Sequence, residues 1–340
     1  MVETVRLVLG AFINIEMWIM LFLNVLVLTC IMKSKFTCRY SGRLGGCQRL
    51  LPVKGRLYAK KDNAVYILTG FNIFCEICQI ILHILYIGPA IISGSWFFKG
   101  QDSLGVTVTA VIFLGLWYLG SLMQILFAVN RLVVICFPWS ALFSRKRVVY
   151  FIVICCCAAL GMVLYSQLLS PCCRITPDPF VYSYSYLVFP NESQNLSMYF
   201  VDLPLDSGTS LFCGISYVAL FVHVHRVGAA DVRTRTRELR CCIQFILMFL
   251  TYTIAWLTFF VYPALRLREH AAYSVTLIVL VVNSGVNSII YLALNTELNG
   301  PVASQGGWLQ PKESRWDRFY KTIINNDFSG RTFSTQATRQ

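Results

Sequence analysis

The chain has 340 residues, 56% of them hydrophobic and only 13% charged, and its mean hydropathy is +0.62. So little charge would not keep a soluble domain of this size in solution, and the composition belongs to the membrane class. The net charge of +13 invites a nucleic-acid reading, but Lys and Arg fall in short runs between apolar segments, so no nucleic-acid partner is expected.

A bilayer helix needs about 20 mostly apolar residues. Seven stretches qualify: 5–32, 64–92, 105–136, 148–170, 207–227, 241–265 and 271–294. Helices are expected because lipid leaves the edge of an open sheet without partners. The predicted fold is an all-α membrane protein, a seven-transmembrane helix bundle over 1–298, followed by a largely disordered tail over 299–340. The first apolar run is too long for a signal-peptide core and reads as an uncleaved anchor. An unusually long connection, 36–62, follows it; it is either a true insertion or a gene-model error. The loop after the fourth span covers 171–206.

Orientation follows from two signals. With the N-terminus outside and the C-terminus cytoplasmic, 33–63, 137–147, 226–240 and the tail face the cytoplasm, and these hold most of the 29 Lys and Arg, in line with the positive-inside bias. The N-x-S/T sequons at Asn191 and Asn195 both fall in the loop after the fourth span, and their glycosylation requires that loop to be outside.

Polar residues within the spans are candidates for function, because an ionisable group in lipid is costly. Asn24 in the first span either bonds to a neighbouring helix, a contact of roughly 0.6–2 kcal/mol, or merely packs. In the second, Glu76 and His83 are seven residues apart and share a face, so they bind either a polar ligand group or each other's water. Asn130-Arg131 closes the third span ahead of Pro138, which stops the helix; Arg131 either finds a partner or snorkels to headgroups. After the fourth span, Phe180, Tyr182, Tyr184 and Tyr186 alternate with smaller residues, which predicts a short strand with one aromatic face. Such a strand is either a lid over the bundle mouth or an interfacial patch. Trp117, Tyr118, Tyr217, Phe259, Phe260 and Tyr262 lie in the outer halves of their spans, as wall of an apolar concavity or as plain packing. In the seventh, Asn283, Asn287 and Tyr291 recur at four-residue steps and share a face that should point into the bundle. Most of the 14 cysteines lie inside spans as small apolar residues. A bridge from Cys172 or Cys173 to Cys213 is one expectation. No metal spacing, cofactor motif or catalytic cluster is present, so no enzyme is expected.

Several of these residues carry a resemblance. Phe22-Leu23-Asn24-Val25-Leu26-Val27-Leu28 resembles the first-span motif of rhodopsin-like G-protein-coupled receptors, and Asn130-Arg131 with Pro138 resembles their third-span arginine motif. Asn283-Ser284-Gly285-Val286-Asn287-Ser288-Ile289-Ile290-Tyr291 resembles their seventh-span N-S-x-x-N-P-x-x-Y run, with Ser288 in place of the proline. Within that class the chain is most similar to a nematode serpentine chemoreceptor of the srx type, over 5–298 apart from the long first loop. The resemblance implies a small, odorant-like ligand in the outer half of the bundle and a heterotrimeric G protein at the inner face. It also implies a resting Arg131–Glu238 pair beside Arg240, since Glu238 stands eighteen residues before Trp256 as in the family; the alternative is a solvated pair of Glu238 with Arg237 or Arg240. An activation network of Asn24, Asn72, Trp256, Asn283, Asn287 and Tyr291 is implied as well, in a multi-pass plasma-membrane protein of a sensory cilium. The chain also departs from the pattern elsewhere: it has no cysteine at the outer start of the third span, no second-span aspartate (Asn72 is the nearest polar substitute), and no proline two residues after Trp256. The alternatives are a channel or transporter, against which stand the lack of internal repeats and of a charge ring, and a receptor relative that no longer signals.

Overall fold

The structure, a computed structural model, describes residues 2–41, 63–137, 140–170, 173–187, 195–227, 232–265 and 270–294. Of these, 2, 33–41, 63–64, 140–141, 227, 232–241, 262–264, 270–271 and 293–294 are described by backbone alone. Helix α1 is Val2–Ser41. Helix α2 is Asn63–Leu82 and continues through a π turn at His83–Ile87 into Gly88–Ser93. Helix α3 is Leu104–Cys136, and α4 is Arg145–Leu164 ending in a π turn at Tyr165–Leu169. Strands β1 (Arg174–Asp178) and β2 (Ser183–Leu187) follow. Helix α5 opens with a π turn at Met198–Asp202 and runs Leu203–Val227; α6 is Val232–Ala264 and α7 is Ser274–Leu294.

Seven helices are long and apolar enough to cross a membrane. Helix α3 packs on α2, α4 and α5, α6 lies between α5 and α7, and α1 closes the ring against α2 and α7. Large apolar side chains point outward as well as inward; Phe22 on α1, Tyr150 on α4 and Val218 on α5 are exposed, as expected where lipid is the solvent. With little hydrophobic drive between helices in lipid, close approach through small residues holds them together. A Cβ added to Gly285 on α7 would lie 2.7 Å from Met20 Cγ of α1, so only glycine lets these helices come so near.

Local chemistry explains the breaks. Pro89 lacks the N–H an α-turn needs, and just before it Gly88 N–H reaches back five residues to the His83 carbonyl; the wide turn absorbs the proline. Gly94 then ends the segment in the left-handed region, φ +62°, with its N–H on the Ala90 and Ile91 carbonyls, a cap that glycine adopts without strain. Phe137, which precedes Pro138, is extended at φ −120°, ψ 144°, the conformation proline imposes on its predecessor.

The expected start of the fifth span and the expected cysteine bridge need correction. The fifth span, expected from residue 207, begins at Met198, so the expected loop 171–206 holds a β-hairpin and the first turns of α5. Asp202 and Asp206 depress the local hydropathy, yet both face the bundle interior. Cysteine pairing also differs: Cys173 is disulfide-bonded, while Cys213 is a free, fully buried thiol in the core, so no bridge joins Cys172 or Cys173 to it.

In the hairpin β1 pairs antiparallel with β2, Arg174 opposite Leu187 and Asp178 opposite Ser183. Asp178 closes the turn, accepting from Phe180 N–H at 2.9 Å and Ser185 Oγ at 3.0 Å, the local bonding that suits aspartate to turns. Phe180 and Tyr182 therefore lie in the turn and not in the strand expected from the alternation. Tyr184 and Tyr186 remain on the inward face, and β1, which has no such alternation, supplies the partner.

Candidate functional site

A cleft opens between α3, α5, α6, α7 and the hairpin, at the end of the bundle where α1 starts. Its walls are Phe113, Leu114 and Trp117 of α3, Ile175, Tyr184 and Tyr186 of the hairpin, Asp202 and Asp206 of α5, Ala255, Trp256, Phe259 and Phe260 of α6, and Thr276 and Leu280 of α7. The gap is about 450 Å³, a slot between aromatic walls. Aromatic contacts fix the walls: Tyr184 stacks on Phe113 with centroids 3.7 Å apart, and Trp117 stacks on Tyr252 at 5.5 Å.

The polar groups of the cleft centre on the two aspartates, which are 4% and 3% exposed. Asp206 accepts from Tyr252 OH at 2.7 Å, from Trp117 Nε1 at 3.2 and 3.3 Å, and from Ser121 Oγ at 3.3 Å. Asp202 accepts from Tyr118 OH and, at 2.8 Å, from Tyr186 OH. Trp256 Nε1 donates to Ser210 Oγ at 2.7 Å. Burial pushes the Tyr186 hydroxyl well above its usual range, and the neighbouring Asp202 adds to the shift, so Tyr186 stays a neutral donor. Helical spacing brings the aspartates together: residues four apart share a face.

A second polar cluster lies where α1, α2 and α7 meet. Asn24 Nδ2 donates to the Ser284 carbonyl at 2.8 Å, and Ser288 Oγ donates to Asn24 Oδ1. Glu76 Oε1 accepts from Asn72 Nδ2 at 2.6 Å and from Asn287 Nδ2, while its Oε2 is buried without a partner. Tyr291 OH and Thr69 Oγ1 share a hydrogen bond at 2.6 Å. At the far end of α3, the Arg131 guanidinium sits 4.7 Å from the Phe245 ring centre of α6, a cation–π contact of about 0.5–1 kcal/mol where exposed and more when dry. Asn130 is buried beside it.

Residues 56–295 match the family described as serpentine type 7TM GPCR chemoreceptor Srx. The chain belongs to this family. It is a family of receptors and not of enzymes, and this member is an all-α multi-pass membrane protein. The fold is similar to that of squid rhodopsin in its crystal structure, with a TM-score of 0.65 and 13% sequence identity over 93% of this chain and 86% of that one. Among curated protein sequences, none matches the receptor.

Of the candidate pocket residues, Trp117 and Phe259 line the cleft, and Tyr118 reaches its edge through Asp202. Glu76 does not line it; its bonds to Asn72 and Asn287 draw it into the inner polar cluster. His83 stands behind the wall, its ring 5.7 Å from Phe113 and 5.8 Å from Tyr184. Tyr217 packs on Phe245 and Phe249 in the core. Of the proposed network, Asn24, Asn72, Asn287 and Tyr291 meet in that inner cluster. Trp256 instead lines the cleft, and Asn283 is only partly buried on α7. Pro138, Asn191 and the side chains of Glu238, Arg240 and Tyr262 lie outside the described residues, and Asn195 stands at the start of α5, its Oδ1 accepting from Met198 N–H at 3.0 Å. Asp202 and Asp206 escaped the sequence reading. The signal available was two acids four residues apart, directly ahead of an apolar helix.

Proposed function

We propose that this receptor binds a small, odorant-like molecule in the cleft and answers by activating a heterotrimeric G protein at the opposite end of the bundle. The observation that carries this reading is the layout along α3: aromatic walls with a few convergent polar groups at one end, the usual make-up of a small-molecule site, and Arg131 against α6 at the other. The inner polar cluster of Asn24, Glu76 and Asn287 lies between them. The cleft faces outside and Arg131 faces the cytoplasm, in keeping with the basic connections and the sequons. In the resting bundle Arg131 rests on Phe245 and pairs with Glu238, two turns earlier on α6, with Arg240 next to it; ligand binding favours the state in which α6 swings away. A signal passes only because the ligand's affinity differs between the two states. The receptor works at the plasma membrane of a sensory cilium. The test expresses it at the surface of cells carrying a promiscuous Gα and screens volatiles. A saturable, dose-dependent second-messenger response supports the reading. A ligand-independent ion current with no such response overturns it in favour of a channel.

A further inference from the structure

Two carboxylates inside a membrane helix lie in a region where an unpaired charge is expensive. Asp202 and Asp206 have only neutral donors for partners: tyrosine and serine hydroxyls and an indole N–H. No described cation comes within ion-pair distance of either. Acceptor capacity is also left over. Asp206 Oδ2 holds only the longer arm of the Trp117 N–H, 3.3 Å, whereas an ionised carboxylate oxygen takes two donors. On the same wall Tyr184 is 5% exposed and its hydroxyl has no partner, so a second polar anchor waits in the cleft. Around these groups stand Trp117, Trp256, Phe259, Phe260 and Tyr186, ring faces of the kind that attract an ammonium group.

We infer that the cleft is built for a cation: a small protonated amine whose ammonium bonds to the Asp206 Oδ2 edge and whose apolar body lies along the aromatic slot. The inference rests on the reading of this cleft as the ligand site and adds the charge class of the ligand. Charge, not size alone, then sets specificity. A neutral molecule of the same shape leaves the carboxylates without a counter-charge and loses the strongest contact the slot offers. The π turn at Met198–Asp202 stands directly ahead of this pair, and such turns concentrate at functional sites.

The test uses the full-length receptor in micelles. Binding is read by tryptophan quenching and by thermal shift, against a series of amines from methylammonium to 2-phenylethylammonium, each paired with its alcohol, such as 2-phenylethanol. The expected result is binding of at least one amine about 10-fold or more tighter than its alcohol, the scale of a charge pair against a neutral contact. In the Asp206→Asn variant that amine weakens by roughly 30-fold or more, the scale for removing one partner of a buried charge pair, while the alcohol is unaffected. A second readout separates a binding role from a structural one: because the asparagine keeps the shape of the side chain and removes an uncompensated charge, the empty variant unfolds at the same temperature as the parent or higher. Should the Asp206→Asn protein fail to accumulate, Asp202→Asn with the same pairs of probes serves instead. Equal binding of amines and alcohols overturns the inference and leaves the receptor reading standing. So does an amine preference that survives both substitutions. If no member of either series binds, the inference falls, and a volatile that still drives the second-messenger response keeps the receptor reading apart from that failure.

Discussion

Removing the Asn24 side chain offers a measurable test of what joins the first and last helices. Asn24 is fully buried and makes two contacts with α7: Nδ2 donates to the Ser284 carbonyl at 2.8 Å, and Oδ1 accepts from Ser288 Oγ. Interhelical bonds of this kind in membranes average about 0.6 kcal/mol and reach about 1.7 kcal/mol. Asn24→Ala therefore costs about 1–3 kcal/mol, and Ser288→Ala, which breaks one of the two, about half as much. Because the Ser288 bond is shared, the double variant loses less than the two single losses added together, by about 0.6–1.7 kcal/mol. The assay is equilibrium unfolding of the purified receptor in mixed micelles, followed by near-UV circular dichroism, for the parent, both single variants and the double. If the double loss equals the added single losses within about 0.3 kcal/mol, the two side chains are not coupled and the contact is incidental.

Further outcomes follow from other contacts. Gly285→Val drives a branched side chain into Met20, an overpacking cost of about 1–3 kcal/mol that lowers surface expression; Met20→Ala in the same chain restores part of it, and no rescue counts against the contact. Glu238→Ala, by removing the proposed partner of Arg131, raises basal second-messenger output; unchanged output at equal surface expression refutes the lock. Endoglycosidase sharpens and speeds the receptor band on a gel, and the shift disappears in the Asn191→Gln, Asn195→Gln double variant. Protease access to the C-terminal tail from the same side as the sugars overturns the orientation.

The spans were legible because a bilayer sets a minimum apolar length, and six of the seven begin within a few residues of their expected starts. The face of α7 was legible too: Asn287 and Tyr291 follow the helical repeat and do point into the bundle. What the repeat does not carry is the register of one helix against another. Glu76 shares a face with His83 on α2, yet it is pulled to Asn287 while His83 stands behind Phe113, and nothing local to α2 separates the two. Asp202 and Asp206 were hidden for another reason. A hydropathy reading takes two acids as loop, and their burial depends on tyrosines, a tryptophan and a serine supplied by α3, α6 and β2. Cys213 shows the converse error, a thiol that looked available for bridging and instead fills the core.

The wide turns at His83–Ile87, Tyr165–Leu169 and Met198–Asp202 all occur toward the cleft end of their helices. Each inserts one residue, and gaining or losing such an insertion rotates the segment beyond it by about 100°. New side chains would then meet the ligand while the half of the helix nearer Arg131 keeps its contacts. A lineage can retune what it senses by gaining or losing such bulges, with the transducing half of the molecule left untouched.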